Sequence, residues 1–330
     1  MKRVQLSHGG GGQEMNQLIT SLFFRHLGND ILLRNEDAAV LNCQGEIAMT
    51  TDCFTVSPLF FAGGNIGKLA VAGTVNDLAM MGAEPQYLSC GFIIEEGLLL
   101  DELEAIVISM AEELKVSGAK IVCGDTKVVP KGCADGLFIN TTGIGHIRQS
   151  GISAHNVQPG DAILVSRDIG CHGACVLSAR ESLKLVNPIE SDCATLWPVI
   201  NTCFEQKIPI HSLRDATRGG ISAVLNEWCE TSHVQLVLED KAIAVSDDVM
   251  GVCELFGFEP YDLANEGTFI MAVSADAAED ALAILTQFSE HAAIVGYATQ
   301  DSPHKTILNS PWGSRRYLDF PNGELLPRIC

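Results

Sequence analysis

The sequence predicts an α+β (mixed α/β) protein of two domains followed by a short movable tail. Three observations carry that expectation. The length of 330 residues favours two domains of ordinary size over one. Apolar series at helical spacing interleave along the chain with short apolar runs of strand type, which suits mixed layers of helix and sheet. The loop-forming stretch Asn156-Val157-Gln158-Pro159-Gly160 interrupts this pattern before a new apolar run begins. The expected divisions are 1–155, 156–318 and a tail at 319–330.

Composition narrows the function. The hydrophobic fraction of 47% is that of a globular protein. Apolar runs are broken well before the ~18 residues that cross a membrane, and no basic-then-apolar leader opens the chain, so a cytoplasmic protein is expected. Lysines and arginines number 21 against 41 acidic residues, a net charge of -20. That balance repels the backbone of nucleic acids and anionic lipid surfaces, so neither is expected as a partner. A polyanionic small ligand would need metal ions between it and the protein. Twelve cysteines are too sparse for a disulfide scaffold, and no CxxC pair offers half of a zinc site. Cys171 and Cys175, with His172 between them, read either as half a metal site on a helix or, given Gly170 and Gly173, as a closely packed helix.

Near the start, Gly9-Gly10-Gly11-Gly12 feeds a helix marked by Met15, Leu18, Ile19 and Leu22. Backbone N–H groups in such a loop can approach a phosphate closely, with the helix dipole favouring its charge. A mobile linker explains the stretch equally well, and no Gly-Lys-Ser/Thr follows to make a Walker loop. Four aspartates then share one pattern. Asp37 precedes the apolar run 38–41, Asp52 closes the run 47–51, Asp77 lies in Gly73-Thr74-Val75-Asn76-Asp77-Leu78, and Asp125 closes Ile121-Val122-Cys123-Gly124. Carboxylates at strand ends commonly face a ligand, and hard oxygen donors suit Mg²⁺ with nucleotide phosphates. Each alone also serves as a turn former.

The segment 66–81 is rich in Ala and Gly and reads as a closely packed helix, in which Asp77 needs a partner. An amphipathic helix with Leu103, Ile106, Val107, Met110 and Leu114 stops at Gly118. Strands at 121–129 and 137–147 are joined by the turn Pro130-Lys131-Gly132. Alternation sends Asp125 and Lys127 to one face, with Thr126 between them. The second half is expected to hold strands at 161–166, 269–274 and 292–298, with helices at 173–184, 219–231 and 276–288. Two polar knots stand out there. Asp215-Ala216-Thr217-Arg218-Gly219-Gly220 opens a helix, with Asp215 or Thr217 near its N-cap and Arg218 near an anion. Asn265-Glu266-Gly267 precedes the strand at 269. Capping and a β-turn account for these two knots without excluding function. No GxGxxG fingerprint, Ser-His-Asp signature or internal repeat is present.

The last stretch, Pro327-Arg328-Ile329-Cys330, has neither helical nor strand period and ends on a thiol. Extended from Pro321, the arm spans roughly 30 Å at ~3.3 Å per residue, and Pro321 and Pro327 disfavour helix.

Together the glycine run, Asp37-Ala38-Ala39-Val40, Thr51-Asp52, the segment 73–83, Gly124-Asp125-Thr126-Lys127, Asp215-Ala216-Thr217-Arg218-Gly219-Gly220, Asn265-Glu266-Gly267 and the closing Pro-Arg-Ile-Cys resemble the HypE family of hydrogenase maturation factors. Order and spacing agree from residue 5 to residue 330. The first four motifs suit the wider aminoimidazole ribonucleotide synthetase-like superfamily, including selenophosphate synthetase and thiamine-monophosphate kinase. The closing four residues narrow it. One mild departure is glycine at both 10 and 11, where the family often carries Ser or Ala.

The resemblance implies a two-domain ATP-using enzyme, dimeric through the sheets of its N-terminal domains, with Mg-ATP near the interface. It implies that Cys330 receives a carbamoyl group from a HypF-type carbamoyltransferase. ATP-dependent dehydration then gives an S-cyanide, a thiocyanate, destined for iron on the HypC-HypD complex and so for [NiFe]-hydrogenase. On the matched motifs, Asp37, Asp52, Asp77 and Asp125 are the expected Mg²⁺ set. Gly9, Gly10, Gly11, Gly12, Asn76, Asp77, Thr126, Lys127 and Asp215 are expected to bind the nucleotide. Lys127 and Arg218 are expected at phosphate or carboxamide, Glu266 as general base and Asn265 orienting the amide. Apart from the motifs, the adjacent terminal carboxylate should raise the Cys330 thiol pKa by like charge, which Arg328 nearby is expected to offset in part. Two other readings stay open: a carrier whose partner does the chemistry, and a kinase of a small metabolite.

Overall fold

The computed structural model describes residues 2–36, 38–183, 185–321 and 326–330. Asp37 lies outside them. The helical series after the glycine loop forms a helix, α1, over residues 13–27, whose middle Ile19–Phe24 is π-wound. Phe23 packs on Phe92 with ring centroids 4.8 Å apart. The run 38–41 forms no strand.

The first sheet uses β1 (Ile47–Phe54), β2 (Ala83–Glu95), β3 (Lys120–Val129) and β4 (Leu137–Ile147). Its order is β1-β4-β2-β3, so the two strands read from the sequence on either side of 130–132 are not neighbours. β2 stands between them, parallel to β3 and antiparallel to β4. Its period is hidden in the sequence because Pro85 and a register shift before Tyr87 break the alternation.

One face of this sheet is covered by helices α2 (Ile66–Met80) and α3 (Leu100–Ser117). Asn65 caps α2, accepting from the N–H groups of Gly67 and Lys68 at 2.9 and 3.2 Å. α2 is apolar on nearly all sides because it is buried on nearly all sides. At Gly67 a Cβ would stand 2.3 Å from the carbonyl oxygen of Ile106, so only glycine lets the two helices meet this closely. The other face of the sheet is open: Ile47, Met49 and Ile93 are 46%, 69% and 45% exposed.

The second sheet has seven strands: β5 (Ala162–Val165), β6 (Ile210–Asp215), β7 (Gln235–Glu239), β8 (Phe269–Val273), β9 (Ala293–Thr299), β10 (Thr306–Asn309) and β11 (Arg315–Tyr317). They run in the order β11-β10-β7-β9-β5-β8-β6. Strict alternation divides its residues between two cores. Ile163, Val165, Ile270 and Ala272 pack with Trp228 and Leu225 of α6 (Gly220–Ser232). Leu164, Phe269, Met271 and Val273 pack with α4 (Cys171–Arg180), α5 (Trp197–Glu205), α7 (Asp247–Phe256) and α8 (Ala278–Leu285) in a core continuous with that of the first sheet. β6 is the edge strand nearest the first sheet and lies against α2.

The N-cap expected at Asp215 or Thr217 is instead Gly219, with φ 82° and no side-chain cap. Asp215 ends β6, which frees its carboxylate for the junction between the sheets. Among the described residues no helix is long and apolar enough to cross a membrane.

Candidate active site at the junction of the two sheets

Four elements bring acidic side chains together where α2 faces β6. In β1, alternation turns Thr50 and Asp52 toward α2. Thr50 Oγ1 donates to Asp77 Oδ2 of α2 at 2.7 Å. Asp52 lies against Asp77, and burial followed by the charge of Asp77 pushes its carboxyl up to about 6. Asp215 enters from the end of β6, pushed up to about 7 by burial and then by Asp77. Glu266 completes the cluster from the loop before β8. It is 3% exposed, its Oε1 has no hydrogen-bond partner, and burial, then Asp215 and Asp192, hold it far above the usual carboxylate range. Such a carboxyl favours its protonated form, so once ionised it takes up a proton readily.

The chain's last residue is in this site. Cys330 is half-buried, and its thiol is pushed up to about 12 by burial first and by Glu266 second, with Arg218 opposing. The expected offset from Arg328 is corrected. Its Nε donates to the Thr55 carbonyl at 2.9 Å and its Nη1 pairs with Asp135, directed away from the thiol. The docked tail is tied by its backbone. Thr55 donates N–H and Oγ1–H to a main-chain carboxylate oxygen of Cys330 at 2.9 and 3.1 Å. His172 Nε2 contacts the Ile329 carbonyl oxygen at 2.8 Å, and Arg180 donates to the carbonyl of Arg328. Ile329 is buried in the main core. Arg328 takes a left-handed backbone, φ 54°, at a cost of about 1–2 kcal/mol that these anchors offset.

The other expected site residues divide. Asn265 is buried with both amide donors committed, to the carbonyls of Ala216 and Leu263, while its Oδ1 accepts from Gly170 N–H at 2.7 Å. It therefore positions the Glu266 loop and has no free donor for an amide. Asn76 commits its Oδ1 and one amide donor to the loop before α5, donating to the Ala194 carbonyl and accepting from Leu196 N–H. Asp125 and Lys127 do share a face, their side chains 2.9 Å apart, but it is the open one: they lie in register with Gly91 and exposed Ile93. Asp52 faces the opposite way and lies at the other edge of the sheet. Asp125 is thus separated from Asp52 and Asp77 within one chain. Thr126 is buried on the helix side. The glycine loop reaches β3: a Cβ at Gly9 would stand 2.6 Å from Val128 N. Between α1 and the sheet lies a cavity of about 550 Å³, lined in part by Phe23, Ile121, Asp125 and Thr126.

Cys171 and Cys175 are committed to other contacts. Cys171 bonds to Asp168, Cys175 to the Ala62 carbonyl, and His172 turns to the tail. Among the described residues no three His, Cys, Asp or Glu side chains enclose an ion. The sequence reading missed Asp192, Ser191, His172 as a tail contact, Arg180 and Thr55. All act through contacts across large sequence separations, and only the buried Asp and His types hinted at them.

A family model for the AIR synthase related protein N-terminal domain matches residues 35–147, and one for the C-terminal domain matches 158–309. The carbamoyl dehydratase HypE of Escherichia coli (strain K12) is 46% identical over the whole of both chains. A crystal structure of the hydrogenase maturation protein HypE in complex with ATP matches with TM-score 0.95 at 43% identity, covering 98% of this chain and 99% of that one. A HypE-HypF complex structure matches with TM-score 0.81 at 44% identity, covering 92% of this chain and 99% of that one. The two AIR synthase-related domains and the full-length identity to HypE show that the chain belongs to the HypE family of carbamoyl dehydratases, proteins of hydrogenase maturation.

Proposed function

We propose that this carbamoyl dehydratase acts on its own Cys330, and that Glu266 is the base. The observation that supports this most directly is that the Cys330 thiol lies within electrostatic reach of Glu266, a buried carboxylate whose Oε1 lacks a partner. An amide oxygen is a poor leaving group. ATP supplies the phosphoryl group that converts it into a good one, so that the S-carboxamide and ATP give the S-cyanide, ADP and phosphate. Glu266 in its ionised form takes an N–H proton of the carboxamide as the C–N triple bond forms, and burial, which pushes its carboxyl well above the usual range, makes that uptake favourable. Arg218, whose charge is felt at both Asp52 and Cys330, faces the oxygen that accumulates charge.

Asp52, Asp77 and Asp215 fit a Mg²⁺ ion bound together with phosphate. Their donors are hard oxygens, they repel one another when ionised, and too few of them surround a point to hold an ion unaided. The ion would neutralise them and the phosphate oxygens. Asp37 belongs to the same motif set and lies outside the described residues.

Asp125 and Lys127, with the Gly9–Gly12 loop, form a second polar cluster. We assign it to the phosphates through a homodimer whose second copy covers the open sheet face bearing Ile47, Met49 and Ile93. That face supports the dimer because its exposed apolar side chains, Ile47, Met49 and Ile93, gain from a cover. We divide the chain at 155/156, with the tail from 319. The twelve free cysteines suit a reducing cytoplasm. The solved HypE-HypF complex supports a HypF-type carbamoyltransferase as donor partner. A HypC-HypD complex is our reading of the acceptor. Single-turnover dehydration by the isolated, pre-carbamoylated chain with Mg-ATP tests the assignment, and its absence would leave a carrier.

A further inference from the structure

We propose that His172 is the positioning residue that sets the tail's docking equilibrium, and that it reads only backbone, so the tail docks in the same way whatever the thiol carries. The last three main-chain acceptors are each taken by a fixed donor: the Arg328 carbonyl by Arg180, the Ile329 carbonyl by His172 and the Cys330 carboxylate by Thr55. None of these bonds involves the Cys330 side chain. A carbonyl can only accept, so His172 Nε2 carries the hydrogen. Ser191 fixes that tautomer. Its Oγ accepts the Cys193 N–H at 3.0 Å, which leaves its own hydrogen for His172 Nδ1 at 2.7 Å. His172 is fully buried and braced edge-on by Phe61, with ring centroids 5.3 Å apart.

The next residue in the chain, Asp192, holds the backbone N–H groups of Glu266 and Gly267. Consecutive residues therefore position the tail and the base. Ser191 acts through His172 on Ile329, and Asp192 acts on the Glu266 loop. The distance between thiol and base is set by one rigid segment, itself pinned to α2 by Asn76. Release of the His172 contact frees the tail for the partner and withdraws it from the base in one event.

The inference rests on Cys330 being the carrier thiol, and its test involves no catalysis, so it fails separately from the dehydratase reading. The full-length protein is treated with iodoacetamide and the rate of labelling at Cys330 is followed by peptide mass spectrometry. Fully buried Cys229 serves as an internal check of folding. His172→Leu removes the donor and should speed labelling of Cys330 about 5- to 10-fold, the loss of one buried hydrogen bond. His172→Gln, whose amide can still donate, should restore a rate near that of the unaltered protein. Labelling of His172→Leu at the unaltered rate overturns the proposal. If His172→Leu also exposes Cys229, Ser191→Ala decides in its place. Faster labelling there supports the proposal, and an unchanged rate overturns it.

Discussion

Asp192 accepts the backbone N–H of Glu266 at 3.1 Å, and its other oxygen accepts from Gly267 N–H and Thr268 Oγ1 at 2.9 and 2.7 Å. A buried carboxylate with three donors is well satisfied and hard to replace. At Gly267 a Cβ would stand 1.8 Å from the Asp192 carbonyl oxygen, so the two loops meet at backbone distance. Glu266 is aimed by this junction and not by bonds to its own Oε1.

Asp192→Asn puts an amide donor against backbone donors. It should cost about 1–3 kcal/mol of stability, read by denaturant unfolding, and should slow single-turnover dehydration although Asp192 touches no reacting atom in this account. A variant with unchanged stability and unchanged rate would remove Asp192 from the positioning machinery.

Glu266→Gln keeps the shape and removes the base. Dehydration should fall by roughly 10²–10⁴-fold, while carbamoylation of Cys330 by the partner continues. Because burial and neighbouring acids already oppose the charge of Glu266, the variant should melt no lower than the parent. Retained dehydration would send the search for the base elsewhere.

Asp215 gives a pH dependence of stability in metal-free buffer. Its carboxyl is pushed from 3.8 up to about 7 in the folded chain, so the folded state binds more protons between these values. Stability is then fully present below the unfolded pKa and falls as pH rises from about 4 to about 7. Asp215→Asn should flatten this slope, and Mg²⁺ with ATP should raise the melting temperature more at pH 8 than at pH 5. A slope unaltered by Asp215→Asn would contradict the burial of its charge.

Much of this was legible in the sequence, and the omissions have physical reasons. The helix at 66–80, the strands at β1, β3 and β4, and the α/β interleaving of the second half follow from periodicity. β2 escaped because Pro85 and a bulge mask its alternation, and β6 because Asp215 reads as the opening of a helix when it ends a strand. Motif order singled out Glu266 and Cys330 as candidates, and the fold carries both to the junction of the two sheets. Motif order could not separate Asn265, whose amide is spent on backbone, from residues free to meet a ligand, since hydrogen-bond commitment is a tertiary property. Nor could it show that Asp52 and Asp125 face opposite sides of one sheet.

Met49→Glu places a charge on the open sheet face without touching the core. It should shift the protein from dimer to monomer in sedimentation and weaken nucleotide binding at the same time. A variant that stays dimeric, or a parent that sediments as a monomer, would remove this face from the interface.

The central claim is that the chain dehydrates its own final residue. The most direct measurement is mass spectrometry of the C-terminal peptide after carbamoylation of Cys330, with and without Mg-ATP. Loss of one water from the modified peptide only when Mg-ATP is present is the predicted result. A carbamoyl group that persists unchanged with Mg-ATP would contradict it.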